Sequence, residues 1–258
     1  MAEAALAGIG VLVTRPRHQA SGLISAIDSE GGTAFAFPTI EVVPRASEVV
    51  RTGVRSLRSP DIVIFVSPNA VQHGLIHADS AAIAAVGPTT TAAIESAGKT
   101  VDIRSATGYD SEHLLLESGL ANVDGMTIRS IRGGTGRELL ADTLKERGAT
   151  VEYLSVYDRI APDYSADDLS ELETQWRSGA INVVTIMSVE SLTNLIILLP
   201  QWCSDQLRQT PLVTPAVRVI KEAVDRLHNV PTALARGPQA SEMVRAITDL
   251  GPIAAGQP

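Results

Sequence analysis

The sequence predicts an α/β protein built from two similar domains, each a parallel sheet with helices on both faces. Three observations predict it. Short apolar runs alternate with amphipathic stretches along the chain, and strands alternating with helices imply parallel sheets. Apolar residues make up 45% of the sequence but aromatics only 3%. The cores must then be filled by Ala, Val, Ile and Leu, the usual filling of buried parallel strands. Finally, the strand–helix pattern repeats within the chain.

The first apolar run predicts a strand at 10–14; Arg15-Pro16 follows, then an amphipathic helix over 17–29 and a strand at 33–37. Pro38–Pro44 is proline-bearing and extended. Next come a strand at 61–66, a helix over 69–77, a strand at 82–86, a helix over 89–97, a strand at 100–103 and a helix over 111–118. A strand at 126–131 leads through a glycine-rich loop into a helix over 137–147 and a strand at 150–157. Val156–Pro162 is a second extended, proline-bearing stretch. The last elements are helices over 167–177, 189–199, 216–227 and 239–249, with strands at 182–187, 211–214 and 231–235 between them.

Residues 11–40 align without gaps on 128–157, bringing Arg15 onto Arg132, Leu23 onto Leu140, Gly31 onto Gly148 and Thr33 onto Thr150. This strand–helix–strand piece is A. Residues 62–75 align on 183–196, with Ser67 on Ser188, and 86–96 on 213–223, with Pro88 on Pro215. Ser111-Glu112 then meets Ser241-Glu242. This second piece is B. The chain reads A-B-A-B, which implies two similar domains of one A and one B each. The domains sit in tandem, or the middle B-A forms one domain inserted into the other; in the second case the two extended stretches are the crossing linkers.

One junction recurs five times, at Arg15-Pro16, Ser67-Pro68, Gly87-Pro88, Thr214-Pro215 and Gly237-Pro238. Proline suits the first position of a helix, where its missing N–H leaves nothing unpaired. Ser67 and Thr214 are residue types that cap helices. In parallel sheets these junctions all lie at the carboxyl ends of the strands, where ligands bind. Helix N-termini there present free N–H groups to anions. The set points to a cleft for an anionic ligand held largely by backbone.

Bulk charge excludes other partners. The formal net charge is −8, which argues against general nucleic-acid or anionic-membrane binding. No apolar run reaches the ~18 residues of a membrane span. Met1–Gly10 is small and apolar with no basic segment before it, so a signal peptide is not expected and the protein should be cytoplasmic. The one cysteine, Cys203, has no partner for a disulfide or a cysteine metal site; beside Trp202 it reads as a half-buried structural thiol.

Arg132-Gly-Gly-Thr-Gly-Arg-Glu138 follows a strand and opens a helix. Glycines let backbone approach a ligand, and Arg132 and Arg137 are suited to carboxylates. The loop has neither a P-loop ending nor dinucleotide spacing, so ATP and NAD are poorly supported. His73 and His77 share a helix face without a Glu or Cys to complete a zinc site, and no serine sits in a Gly-x-Ser-x-Gly elbow. Tyr157 ends the second copy of A; facing a cleft, it is able to donate a proton or orient a leaving hydroxyl.

Taken together, the chain resembles the uroporphyrinogen-III synthase family. The resemblance rests on Val11-Leu-Val-Thr-Arg-Pro16, Phe37-Pro-Thr-Ile-Glu41, Phe65-Val-Ser-Pro-Asn-Ala-Val71, Ala85-Val-Gly-Pro-Thr-Thr90, Tyr109-Asp-Ser-Glu112, the glycine loop 132–138, Arg147-Gly-Ala149 and Val156-Tyr157. It runs from about residue 9 to 250, and the order and spacing of the segments make it specific. It implies two flavodoxin-like parallel-sheet domains joined by a two-stranded linker. One is discontinuous, 1–37 with 163–258, and the other, 46–155, is inserted; 38–45 and 156–162 are the linker strands. It also implies a cofactor-independent, monomeric enzyme that closes hydroxymethylbilane, a linear tetrapyrrole handed over by hydroxymethylbilane synthase, with loss of water and inversion of ring D through a spiro intermediate.

Within that resemblance Tyr157 matches the tyrosine proposed to help the hydroxyl leave. The candidate substrate-binding residues are Arg15, Ser67, Asn69, Thr89, Arg132, Gly134, Arg137, Ser188 and Thr214; Ser67, Thr89, Ser188 and Thr214 are expected to cap helices that face the cleft. Two departures stand out. Gly87-Pro88-Thr89 is answered in the second copy by Thr214-Pro215-Ala216, and the strand before the glycine loop carries Arg129 and Ser130 where apolar residues are expected. A non-catalytic sensor of anionic ligands on the same fold is the rival reading.

Overall fold

In the computed structural model, which describes residues 4–78, 80–105, 108, 110–134, 138–228 and 230–251, the apolar runs become strands, fully buried at 10–13, 62–65, 183–185 and 212–214. The chain divides into two compact units, Met1–Glu41 with Ile160–Pro258, and Val42–Arg159. The first unit contains β1 (Gly10–Val13), α1 (Arg17–Ser29), β2 (Thr33–Ala36), α7 (Ala166–Arg177), β9 (Val183–Thr185), α8 (Val189–Leu198), α9 (Gln201–Leu207), β10 (Leu212–Thr214), α10 (Val217–Leu227), β11 (Thr232–Leu234) and α11 (Ala240–Thr248). The second contains β3 (Glu41–Pro44, which starts at the boundary), α2 (Ser47–Ser56), β4 (Ile62–Phe65), α3 (Pro68–Gly74), β5 (Ala82–Ala85), α4 (Pro88–Ser96), β6 (Ile103–Arg104), α5 (Ser111–Leu114), β7 (Thr127–Gly133), α6 (Leu139–Glu146) and β8 (Thr150–Ile160).

The first sheet runs β11-β10-β9-β1-β2, with every pairing parallel. In chain order this is the doubly wound, flavodoxin-type arrangement. The second runs β3-β8-β7-β4-β5-β6, and the β8-β7-β4-β5-β6 pairings are parallel. In terms of the repeat, both sheets have one spatial order: second strand of A, first strand of A, then the three strands of B. The second unit is thus a circular permutant of the first, with B ahead of A in the chain. Helix ends agree with the match, since aligned Gly31 and Gly148 both follow their helices at positive φ, 79° and 88°, a conformation glycine reaches without a Cβ penalty. Among the described residues β3 has no counterpart in the first sheet; it lies beside β8, and the Arg45 N–H donates to the Val156 carbonyl at 3.0 Å.

Strand alternation sorts the cores. In the first unit Leu12, Val184 and Leu212 pack against α7 to α10, whereas Val11, Val13, Val183 and Val213 pack against α1 and α11. In the second, Val63, Phe65, Ile83 and Ile131 meet α2, α3 and α4. Ile62, Ile64, Ala84 and Ile128 face α5 and α6 on the other side.

Two helices, α2 and α9, lie where no helix is expected from the sequence. Along α2 only Val50 is buried, so its apolar stripe is too thin to stand out. α9 follows Pro200, which ends the preceding apolar pattern; Cys203 and Leu207 then bury a short second stripe. Cys203 is fully buried, not half-buried, and burial pushes its thiol up to about 11. Strand β8 continues to Ile160, three residues past the expected end. Among the described residues no helix is long and apolar enough to cross a membrane.

Gly22 lies inside α1 with nothing within 4 Å of where a Cβ would stand. Gly22→Ala is expected to stabilise the protein by about 0.5–1 kcal/mol through the unfolded chain's lost freedom. A urea midpoint that falls instead of rising refutes it.

Candidate active site

The carboxyl ends of β4, β7 and β8 bring together side chains distant in sequence. Ser67 caps α3: its backbone is extended, and its Oγ accepts from the Ala70 N–H at 3.1 Å. The same Oγ lies 3.1 Å from the Tyr157 hydroxyl, towards the end of β8. Tyr157 is 5% exposed. Its ring fills the space over Gly133, where a Cβ would stand 2.6 Å from Cε2. A register shift makes this possible: Arg132 pairs with Ser155 but Gly133 with Tyr157, leaving Val156 as the extra residue of a β-bulge. Gly133 therefore makes room for an aromatic ring, a local reason for the glycine that its place in a loop does not reveal.

Tyr157 lines a cavity of about 310 Å³ inside the second unit, with Ser67, Ser130, Arg132, Tyr153, Asp110 and Arg159 supplying polar groups over an apolar floor. Arg132 is held firmly here. Its Nη2 donates to Glu138 Oε1 at 3.1 Å, and the guanidinium lies 4.0 Å over the Tyr153 ring. The Tyr153 hydroxyl donates to the other oxygen, Glu138 Oε2. These bonds, Tyr153's first and Arg132's second, hold the Glu138 carboxyl below its usual range. Burial, and then the bond to Glu138, push the Tyr153 hydroxyl up to about 12. Gly134 lies beside the Arg45–Asp158 pair, whose forked bonds run at 2.7 to 3.1 Å. Asn69 is partly buried in the first turn of α3. Arg137 and Tyr109 lie outside the described residues.

The first unit presents the equivalent edge. Arg15 Nη2 donates to the Pro238 carbonyl at 2.5 Å, and burial lowers the guanidinium's pKa. Ser188 caps α8, accepting from the Ser191 N–H at 3.1 Å. A buried polar network that the sequence does not advertise sits beside it. Ser191 Oγ lies 2.6 Å from Thr39 Oγ1 and 3.1 Å from Thr14 Oγ1, and Asn194 Nδ2 donates to the Thr39 carbonyl at 2.8 Å. At the aligned positions of the second unit stand Ala70, Val156 and Ile131, all in its apolar core. Ile40 stands where the second unit has Tyr157.

Two expected caps are corrected. α4 is capped by Gly87 at φ 81°, so Thr89 sits exposed in the first turn and caps nothing. Thr214 is fully buried at the end of β10; its Oγ1 accepts from the Ala216 N–H at 3.2 Å before α10 begins at Val217. Of the five junction prolines only Pro68 and Pro88 occupy the first helical position. Pro16 is itself the residue before α1, and Pro215 and Pro238 stand further out. Arg129 is 2% exposed and donates to the Arg58 carbonyl beyond the end of α2 at 2.5 Å, while its Nε and Nη1 are buried without a partner. It is absent from the cavity lining and belongs to the packing beyond α2.

Tyr153 and Arg159 line the cavity and were missed by sequence reasoning, as was Glu138, which pairs with Arg132 and Tyr153 from outside the lining. Simple alternation misplaces Tyr153: four residues before Tyr157 it should share that residue's face, but the bulge at Val156 reverses the alternation, so Tyr157 packs with Ile131 and Leu154 while Tyr153 lies on the face of Arg132.

The sequence matches a family model described as uroporphyrinogen-III synthase HemD over residues 21–245. It is 32% identical over 204 residues to uroporphyrinogen-III synthase of Salmonella typhimurium, covering 75% of this chain and 81% of that one. Identity to the Escherichia coli uroporphyrinogen-III synthase is 30% over 203 residues, with the same coverage of 75% and 81%. Among solved structures, uroporphyrinogen-III synthetase from Helicobacter pylori superposes with a TM-score of 0.65 at 11% identity, covering 94% of this chain and 99% of that one. A mutant uroporphyrinogen III synthase from Thermus thermophilus gives 0.58 at 17% identity, covering 93% and 99%; both likenesses concern the fold.

Proposed function

The chain belongs to the uroporphyrinogen-III synthase family, and on that premise we propose that it closes hydroxymethylbilane to uroporphyrinogen III, with loss of water and inversion of ring D through a spiro intermediate. The observation that supports a working site is the Tyr157 hydroxyl, held 3.1 Å from Ser67 Oγ on the wall of a cavity that also presents Arg132 and Arg159.

The bilane closes without help to the unrotated isomer, so the enzyme's task is to hold a flexible polycarboxylate in the shape that favours inversion. Positioning and prearranged donors perform that task. Tyr157 gives its proton to the departing hydroxyl, which leaves as water, and regains one when the newly joined pyrrole carbon loses its proton. Ser67 keeps the phenol oriented while its own oxygen caps α3. The carboxylate arms are bound by Arg15, Arg132 and Arg137 and by backbone N–H groups near Ser67, Asn69, Thr89, Gly134, Ser188 and Thr214. The backbone donors let a chain of net charge −8 hold an anion. With this reading go a cytoplasmic, monomeric enzyme and delivery of the bilane by hydroxymethylbilane synthase.

Isomer analysis tests the proposal. Hydroxymethylbilane is generated in situ with a deaminase, the protein is added, and the oxidised uroporphyrins are separated by chromatography. Predominantly isomer III is expected. Isomer I alone, from folded protein, replaces the synthase with the ligand-sensor reading.

A further inference from the structure

Arg132 and Tyr153 together form a two-point carboxylate receptor, and a carboxylate already occupies it. One oxygen of Glu138 takes the Arg132 Nη2 bond and the other takes the Tyr153 hydroxyl. The receptor is more deeply set than its occupant, with the Arg132 side chain 12% exposed and that of Glu138 49%. Both receptor residues line the cavity, and Glu138 does not. Arg132 Nε is also buried without a partner. The repeat supplies a comparison within the molecule. Aligned with Arg132, Tyr153 and Glu138 are Arg15, Ala36 and Ser21. Arg15 bonds a backbone carbonyl, and among the described residues no carboxylate pairs with it. The tyrosine and the acid occur together only in the unit that carries Tyr157.

We propose that Glu138 is a resident stand-in for a carboxylate arm of the ligand: an incoming carboxylate displaces it and takes its two bonds, on Arg132 and Tyr153. This rests on the reading of the ligand as a tetrapyrrole polycarboxylate. An exposed acid returns to water at little cost, while a carboxylate carried on an apolar ring keeps the ring over the cavity floor. Charge-assisted bonds to both oxygens make the receptor selective for a carboxylate over a neutral arm. Glu138 then acts as a gate that keeps the guanidinium paired until a ligand arrives.

The test measures binding of uroporphyrin III by fluorescence, and KM and kcat for ring closure, on Glu138→Gln. An exposed ion pair of this kind opposes binding by about two- to five-fold, so E138Q should bind the porphyrin that much more tightly, with KM lowered and kcat held. Glu146→Gln removes the same charge from the exposed end of α6 and should leave binding unchanged. In the Arg132→Gln background the E138Q gain should vanish. Weaker or unchanged binding in folded E138Q overturns the proposal, as does an equal gain in E146Q or a gain that survives without Arg132. If the parent protein neither binds uroporphyrin nor yields isomer III, the functional reading itself has failed. Isomer III from the parent with an inert E138Q means only the gate has failed.

Discussion

Tyr157→Phe will lower the rate of ring closure by about 10²-fold or more, the span typical of a lost general acid, while binding of uroporphyrin changes by less than about three-fold. The structure separates these effects. The ring is buried against Gly133 and lines the cavity, and phenylalanine keeps that packing. Among the hydroxyl's contacts is Ser67 Oγ, which continues to accept from the Ala70 N–H and so keeps the start of α3. Losing one such bond costs about 0.5–1.5 kcal/mol of stability, too little to unfold a domain. Single-turnover rates on folded mutant protein, with porphyrin binding beside them, make the measurement. Unchanged turnover removes Tyr157 from the chemistry. A parallel loss of binding and rate makes it a binding residue only.

Gly10→Ala will destabilise the first unit by about 3 kcal/mol or more, visible as a large drop in urea midpoint and in yield of folded protein. Gly10 begins β1, which pairs on both sides within its sheet, and its N–H donates to Asn182 Oδ1 at 2.7 Å. A Cβ there would collide with the backbone carbonyl of Ala180 and stand 3.0 Å from the Phe35 ring. Backbone on the far side cannot swing away as a side chain does, so β1 must leave β9. Gly22→Ala is the internal control, since the same substitution in open space should raise stability. A Gly10→Ala midpoint equal to the parent's would show that the β1–β9 approach is looser than the structure has it.

Features that are local or repetitive could be read from residue order. Apolar runs and amphipathic stretches are set by near neighbours, so most strands and helices were legible, as were Ser67 and Ser188, whose capping partners lie three residues on. The repeat was legible because both copies bury the same faces, and it sets Arg15 beside Arg132 in the alignment. The thin apolar stripe of α2 lay below that threshold. Thr89 and Thr214 were misread as caps because the type of residue before a helix does not set where the helix begins.

The site took shape only on folding. The bulge that puts Gly133 beside Tyr157, the Thr14–Thr39–Ser191 network and the Arg132–Glu138–Tyr153 receptor join residues whose meeting depends on strand register and on which sheet face each side chain takes. Register is a property of the paired strands: a shift of one residue sends every following side chain to the other face. The second unit's Tyr157 and Tyr153, against Ile40 and Ala36 in the first, are plain letters in the sequence. It takes the folded sheet to turn them into a hydroxyl on Ser67 and a receptor for a carboxylate.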